Sequence, residues 1–182
     1  MYLRRSLQIS AWIILALTIF PSAAHADPNS DFVEHAGGSA KASQWEYGVP
    51  SSVTVAQAIL ESGWGKSGLA VNENNYFGIK CRDGIPGPIA IGCAEYPTKE
   101  CDAQGCYDTT GLFRKYASIE DSFRDHGRFL FESPRYAAAF NYSHDADQFV
   151  REIHAAGYAT DPDYSNKVIR IMQQQDLYRF NY

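Results

Sequence analysis

The stretch Pro50–Lys80, PSSVTVAQAILESGWGKSGLAVNENNYFGIK, decides the fold. Its first half has apolar residues at helical spacing, with Val53, Ala56 and Leu60 on one side. Two serines directly after the proline can cap the start of a helix, and Gly63 is suited to end it. We therefore predict an amphipathic helix that is followed by a loop rich in glycine, asparagine and aromatic residues.

Glu61 falls in the last turn of this predicted helix, where a carboxylate is a poor structural choice. The C-terminus of a helix carries partial negative charge, which costs an ionised Glu up to about 1 kcal/mol. The neighbouring Leu60 and Trp64 would also remove water from the carboxyl group. Both effects raise the pKa, as a general acid working near neutral pH requires. The alternative is an ordinary surface glutamate.

Four blocks occur in order along the chain and cover most of it. They are AQAILESGWGKS (56–67), NNYFGIK (74–80), LFRKYASIEDSFRDHGRFL (112–130) and RYAAAF…AAGYATDPDYSNKVIRIM (135–172). Together they resemble the glucosaminidase family of bacterial cell-wall hydrolases, glycoside hydrolase family 73, which includes the flagellar muramidase domain. The resemblance runs from about Phe32 to the C-terminus. It implies a lysozyme-like helical body with a small β-lobe, and hydrolysis of β-1,4 glycosidic bonds in the glycan strand of peptidoglycan.

The resemblance also implies roles for individual residues. Glu61 would be the general acid, and the second catalytic carboxylate would be Glu100, in the lobe shortly before the FR.Y strand. Tyr158 would lie at the cleft near the sugar in the −1 subsite. One departure is that Cys101 follows Glu100 directly, so that a short Cys101–Cys106 loop is expected in place of the family's usual hairpin.

A further group of residues is expected to contact the sugar. The resemblance places the Asn-Tyr-Phe segment on the floor of the cleft, with Phe77 turned towards the core and Tyr76 towards the substrate. The full set of expected substrate contacts is Trp64, Asn75, Tyr76, Phe77 and Tyr164. For each aromatic residue of this set, packing in the core is the alternative.

The second chemical step stays open at this point. Glu100 would activate water if the two carboxyl groups lie about 6.5–9.5 Å apart, as in inverting enzymes. Alternatively, the N-acetyl group of the substrate attacks the anomeric carbon, and Glu100 or Tyr158 stabilises the charged intermediate. The family implies cleavage after N-acetylglucosamine. A muramidase, a lytic transglycosylase and a non-catalytic wall-binding module are the other readings of the same pattern.

The first 26 residues have the parts of an export signal. Arg4 and Arg5 precede an apolar run over Ala11–Phe20, and Ala24-His25-Ala26 has the small-x-small pattern of a cleavage site. The run is too short to span a bilayer comfortably, and no second one follows. We predict that residues 1–26 are a cleaved signal peptide and that the protein is secreted or periplasmic, without stable membrane insertion. A retained anchor is the alternative.

Residues 27–182 then form one mature glucosaminidase domain. The whole chain carries a formal charge of −5. Because the predicted signal contains two arginines and no acidic residue, the mature chain carries −7. An acidic chain without a basic stripe argues against nucleic acid and anionic lipid as partners. The expected partner is therefore the peptidoglycan glycan strand, bound by a monomer through local contacts.

Four cysteines lie close together, at Cys81, Cys93, Cys101 and Cys106. In an exported chain they are expected to form disulfides, and pairing of neighbours gives Cys81–Cys93 and Cys101–Cys106. The other two pairings stay possible. Because no CxxC spacing is present, we expect no metal site, and the chemistry needs no cofactor.

The remaining pattern predicts an α+β fold that is mainly α-helical. A weak helical pattern over 27–49 is interrupted by Gly37-Gly38, which predicts a broken or late-starting helix. Residues 79–117 are rich in Gly, Pro and Cys and predict a disulfide-stapled β-lobe. Its strand candidates are Ile89–Ile91 and Leu112–Tyr116. From Ser118 onwards the pattern is helical, with starts predicted at Ser118, Pro134, Asp145 and Pro162.

Overall fold

A computed structural model describes residues 28–102 and 105–181, apart from the side chains of Pro28, Glu100, Cys101 and Asp102. The predicted signal peptide lies outside the described residues. The α-helices are α1 (Pro28–Tyr47), α2 (Ser51–Ser62), α3 (Gly68–Glu73), α4 (Ile119–Glu132), α5 (Ala146–Ala155) and α6 (Tyr164–Gln174). Two 3₁₀ segments, Pro134–Tyr142 and Leu177–Phe180, and the strands β1 (Gly92–Asp102) and β2 (Gly105–Lys115) complete the fold. The predicted class, α+β and mainly α, is confirmed.

Helix α2 is the centre of the helical body. Helices α1, α5 and α6 and the last 3₁₀ segment all pack on it, so that every residue from Ser51 to Ile59 is buried. The helix is therefore buried on most sides rather than amphipathic, which corrects the prediction. Neither serine caps it: Pro50 occupies the N-cap position, and the Ser51 N–H donates instead to Gln44 Oε1 of α1 at 2.9 Å.

Helix α1 is continuous from Pro28 to Tyr47, and the predicted interruption at Gly37-Gly38 is wrong. A Cβ atom at Gly37 would lie 2.3 Å from the ring of Phe180. The glycine therefore allows the C-terminal 3₁₀ segment to approach the helix closely, instead of ending the helix. The role of Gly37 depends on its contact with Phe180, which is distant in sequence. A local sequence pattern does not reveal such a contact.

The lobe is a single antiparallel hairpin in which Gly92 faces Lys115 and Cys101 faces Cys106. The prediction that a Cys101–Cys106 loop replaces the hairpin is therefore wrong. The prediction of a strand over Ile89–Ile91 is also wrong. That segment follows Pro86-Gly87-Pro88, and prolines cannot donate to a strand ladder. The Cys81–Cys93 disulfide is confirmed. Cys106 is also disulfide-bonded, whereas the side chain of Cys101 lies outside the described part.

The C-terminal half follows the predicted caps closely. Ser118 accepts a hydrogen bond from the N–H of Asp121 at the start of α4, and Asp145 accepts one from Gln148 at the start of α5. The segment from Pro134 is a 3₁₀ helix rather than an α-helix. Within the described residues, no helix combines the length and the apolar character that crossing a bilayer requires.

Candidate active site

A cleft of about 1070 Å³ separates the hairpin lobe from the helical body. One side is formed by residues of the segment 77–88 together with Arg114 of β2. The other side is formed by the end of α4 and the start of the following 3₁₀ segment, within residues 128–136. Glu61 and Tyr158 lie at the floor between these two sides. This cleft thus contains the carboxyl group that the sequence analysis identified as a candidate general acid.

A second hollow, of about 470 Å³, adjoins the cleft. It is lined by Tyr164, by the end of α2 and by the loop that connects α5 to α6. Glu61, Tyr158 and Ala159 line both hollows. Glu61 therefore lies in a groove that continues on both sides of it, as the binding of an extended chain molecule requires.

The position of Glu61 is fixed by the way in which α2 ends. Gly63 adopts the left-handed conformation, with φ 58°, and its N–H donates to the carbonyl of Ile59. The next two residues, Trp64 and Gly65, also have positive φ values, of 64° and 71°. Positive φ is uncommon for a bulky side chain such as Trp64. The chain thus turns away immediately after the last helical turn and leaves the Glu61 side chain at the groove.

Two neighbours orient the Glu61 carboxyl group. The Tyr164 hydroxyl donates to Glu61 Oε1 at 2.9 Å, and Gln57 Nε2 donates to the same hydroxyl at 3.0 Å. Glu61 is open to solvent through the groove, but the surrounding protein still removes enough water to raise its pKa. The hydrogen bond from Tyr164 acts in the opposite direction and offsets part of this increase. The predicted direction of the pKa shift is confirmed.

Tyr158 is held by a histidine that is fully buried. A ring nitrogen of His126 lies 3.3 Å from the Tyr158 hydroxyl, and the His126 ring stacks on Phe77 with centroids 4.0 Å apart. Burial lowers the pKa of His126 to about 3, so its imidazole is neutral under ordinary conditions. Desolvation and the nearby Glu61 charge raise the pKa of Tyr158, so that its hydroxyl keeps its proton. Tyr158 is thus a fixed, uncharged hydroxyl at the floor of the groove.

Two of the five expected substrate contacts lie at the groove. Phe77 is buried, as predicted, and lines the cleft. Tyr164 lines the adjoining hollow and contacts Glu61 directly. Trp64 lies instead in a separate hollow between α1 and the end of α6. This position argues against direct contact between Trp64 and a substrate in the groove.

The other two expected contacts serve the structure. Asn75 Nδ2 donates to the carbonyls of Ile79 and Arg114 at 2.9 and 2.8 Å, so its side chain connects the Asn-Tyr-Phe segment to β2. Tyr76 packs between Phe32 and other core rings instead of turning towards the cleft. Tyr76 therefore follows the alternative prediction, packing in the core. The amide of Asn75 serves to satisfy backbone carbonyl groups.

Glu100 lies in β1, opposite Tyr107, near the turn of the hairpin. Its side chain lies outside the described part, so its role as second carboxylate stays a prediction. The described acidic residues that line the cleft are Glu61, Asp83 and Glu132. No group of three or more potential metal ligands occurs among the described residues.

A buried ion pair at the base of the lobe was not predicted. Asp125 of α4 has a side-chain exposure of 1%, and its Oδ2 accepts hydrogen bonds from Arg114 Nη1 at 2.5 Å and from the Tyr116 hydroxyl at 2.7 Å. Arg114 and Tyr116 are two residues apart in an extended segment and so point the same way. This alternation was visible in the sequence, but their shared partner was not. The pair attaches the lobe to the helix that also carries His126.

A helical body, a two-stranded lobe and a desolvated carboxyl group at the floor of the cleft between them are typical of lysozyme-like glycoside hydrolases. The sequence profile of the glucosaminidase family, described as mannosyl-glycoprotein endo-beta-N-acetylglucosaminidase, matches residues 37–177. The chain therefore belongs to the glucosaminidase family, as the sequence predicted.

Individual relatives agree with this assignment. The chain is 40% identical over 133 residues to the peptidoglycan hydrolase FlgJ of Vibrio cholerae, and the match covers 71% of this chain and 38% of that protein. It is 32% identical to the exo-glucosaminidase LytG of Bacillus subtilis, with 83% and 53% covered. The chain thus spans well under two thirds of the length of these relatives.

Solved structures show the same fold. The catalytic domain of the autolysin Auto from Listeria monocytogenes matches with a TM-score of 0.75 and 25% identity, covering 88% of this chain and 92% of that one. A C-terminally truncated glycoside hydrolase domain of Salmonella typhimurium FlgJ matches with a TM-score of 0.65 and 32% identity, covering 82% and 98%. In both cases the likeness extends over almost the whole solved domain.

Proposed function

We propose that this protein hydrolyses the β-1,4 glycosidic bonds of peptidoglycan as an endo-β-N-acetylglucosaminidase outside the cytoplasmic membrane. The observation that carries the proposal is the position of Glu61, a carboxyl group of raised pKa in a groove that continues on both sides of it. A groove open in both directions accommodates the interior of a polymer. The peptidoglycan hydrolases among the relatives support this choice of polymer.

Glu61 acts as the general acid in this proposal. Its raised pKa keeps part of the population protonated at pH values where an ordinary glutamate is ionised. The carboxyl proton passes to the glycosidic oxygen as the bond to the anomeric carbon breaks, and a sugar hydroxyl leaves. Tyr164 holds the carboxyl in place by donating a hydrogen bond from its hydroxyl to Oε1.

The positive charge that develops on the anomeric carbon needs a stabilising partner. Tyr158 offers an uncharged hydroxyl at the floor of the groove, oriented by His126. Glu100 activates the attacking water, or else it assists the N-acetyl group of the substrate in its attack on that carbon. In the first case water supplies the hydroxide and Glu100 accepts its proton. In the second case a bicyclic intermediate forms and is then hydrolysed.

The sequence features at the N-terminus fit this location of action. Export by a cleaved signal peptide would deliver the enzyme to the periplasm or the exterior, where peptidoglycan lies and where the Cys81–Cys93 disulfide is stable. We expect the mature enzyme to act as a monomer without a cofactor.

The test is digestion of purified peptidoglycan, followed by reduction and mass spectrometry of the fragments. We expect products that end in reduced N-acetylglucosamine, with a range of lengths early in the digest. The Glu61→Gln variant serves as the matched control and should release these products at least about 100-fold more slowly. Early release of disaccharides alone would contradict internal cleavage.

The same spectra separate the alternatives. Reduced muramic acid at the new end would identify a muramidase, and an anhydromuramic end would identify a lytic transglycosylase. Absence of any new end, with retained binding to insoluble peptidoglycan, would identify a non-catalytic wall-binding module. Each of these results would overturn the proposed activity.

A further inference from the structure

The larger cleft is lined by an excess of basic side chains. Five of its lining residues are Lys or Arg and three are Asp or Glu, although the chain as a whole carries a charge of −5. The cleft is thus a locally positive region on an acidic protein. An acidic surface repels an anionic polymer at long range, so that attraction has to arise from such local groups.

Two of these arginines have partners within the protein. Arg114 pairs with the buried Asp125 at 2.5 Å, and Arg128 pairs with Glu132 at 2.5 Å. Their charges are already balanced by carboxylates, so neither is well placed to bind an external anion. Arg82 and Arg135 differ from them because both are exposed in the cleft, on its two different sides.

Arg82 stands on a rigid turn of the lobe. Its backbone N–H and carbonyl both pair with Ile85, at 3.2 and 2.8 Å. The two residues between them, Asp83 and Gly84, have positive φ values of 53° and 75°, as a tight two-residue hairpin turn requires. The Cys81–Cys93 disulfide fixes the chain directly before the turn. The backbone that carries this guanidinium group is therefore pre-organised.

Arg135 stands on an equally fixed support in the helical body. It follows Pro134 at the start of the 3₁₀ segment, and its guanidinium group lies 4.5 Å from the ring centroid of Tyr136. The Tyr136 residue is only 1% exposed and so cannot move away. Stacking on an aromatic face restrains the guanidinium plane while its N–H groups keep their donor capacity.

We propose that Arg82 and Arg135 form a subsite for the carboxylates of the peptide stems that peptidoglycan carries. This inference rests on the proposed function, because it names the part of the same polymer that the cleft recognises. The glycan backbone is decorated with peptides that carry free carboxyl groups. A planar guanidinium group matches a carboxylate through two parallel N–H···O bonds. The enzyme therefore distinguishes strands that carry stems from bare strands.

The test uses peptidoglycan whose amines are acetylated and whose carboxyl groups are either left free or converted to methylamides. Binding is measured by co-sedimentation in the Glu61→Gln background, and cleavage rates are measured with active enzyme. The double variant Arg82→Gln/Arg135→Gln is compared with Arg151→Gln, an exposed arginine of α5 outside the cleft. Peptide-stripped strands, which keep the lactyl carboxylate of muramic acid, form a third arm.

On the free-carboxyl material at low salt, we expect the double variant to bind about threefold to tenfold more weakly, and added salt to reduce the difference. On the methylamide material and on stripped strands, the double variant and the control should bind alike. An equal loss on all three materials, or no loss on any, would overturn the subsite. A loss that persists on stripped strands would assign the contact to the lactyl group and overturn the stem assignment. Because binding is read without cleavage, an inactive wild type would refute only the proposed hydrolysis.

Discussion

The floor of the groove and the hairpin lobe above it are built in opposite ways. On the floor, Gln57 and His126 have no solvent exposure, and they fix the hydroxyls of Tyr164 and Tyr158 beside Glu61. In β2 of the lobe, the single buried residue is Phe113. The lobe therefore has almost no core of its own, whereas the general acid is held by the core of the whole domain.

Because of this difference, the general acid is pre-organised and the groups of the lobe are not. The lobe is held at its base by polar contacts and a disulfide rather than by packing. Asp125 binds Arg114. Glu73 binds Lys115 at 3.0 Å and accepts a hydrogen bond from the Tyr96 hydroxyl at 3.2 Å. The Cys81–Cys93 disulfide closes the adjoining loop. Glu61 is thus fixed by the fold. A carboxylate near the turn of the hairpin, such as Glu100, depends instead on the orientation of the lobe.

The largest expected effect comes from the floor. Glu61→Gln keeps the shape of the side chain but removes its proton, so that the rate of peptidoglycan cleavage should fall by about 10²–10⁴-fold, the usual contribution of a general acid. The measurement is release of reducing ends from purified peptidoglycan. Because the variant removes a desolvated carboxyl group, it should unfold at the same temperature as wild type or slightly above it. A lower unfolding temperature would indicate instead that the variant loses cleavage activity because its fold is disturbed.

The next effect concerns the tether of the lobe. Asp125→Asn leaves Arg114 without a charged partner, and breaking a buried pair costs about 3–5 kcal/mol of the free energy of unfolding. Urea denaturation followed by far-UV circular dichroism measures this. Asp108→Asn is the matched control, because Asp108 pairs with Lys99 on the lobe surface at 3.7 Å and is 90% exposed. Equal effects of the two variants would refute the role of Asp125 as a tether.

A smaller effect is expected from the disulfide of the lobe. The Cys81–Cys93 bond closes a loop with a sequence separation of 12 residues, for which chain entropy predicts a loss of about 3 kcal/mol on removal. The Cys81→Ser/Cys93→Ser variant should expose the lobe to proteolysis while the helical body stays folded. Mass spectrometry of the fragments locates the cuts. Cuts spread over the helical body would show that the two regions unfold together.

The smallest effect concerns the environment of Glu61. Tyr164→Phe removes a hydrogen bond that lowers the pKa of Glu61, so that this pKa should rise further. A general acid loses its proton as the pH rises through its pKa, and the alkaline limb of kcat/KM should therefore move to higher pH, by less than about one unit. Tyr107→Phe on the exposed lobe is the control. A shift in the acid direction would contradict the assignment.

Local patterns in the sequence predicted the helical elements well. Ser118 and Asp145 were identified as caps, Gly63 as the end of α2, and Glu61 as the residue in its last turn, because each of these depends on neighbours in the chain. Pairing of neighbouring cysteines predicted the disulfide between Cys81 and Cys93, and the family resemblance added the lysozyme-like class of fold.

Contacts between distant segments were not predictable in this way. Gly37 was interpreted as a helix breaker because nothing near it indicates that Phe180 packs there. Trp64 follows Glu61 in sequence, but the positive φ of three successive residues turns it into a different hollow. The burial of Asp125 depends on Arg114 and Tyr116 of the lobe. A sequence pattern gives the direction of a side chain more readily than its partner.

The central claim is that Glu61 holds a proton at pH values where an ordinary glutamate has lost it. The most direct measurement is an NMR titration of the protein with labelled glutamate carboxyl groups, in which the signal absent from Glu61→Gln identifies Glu61. We expect a pKa above 4.5, the ordinary value for a glutamate side chain, and coincidence of that pKa with a limb of the pH–rate profile. A pKa at or below that value would contradict the account.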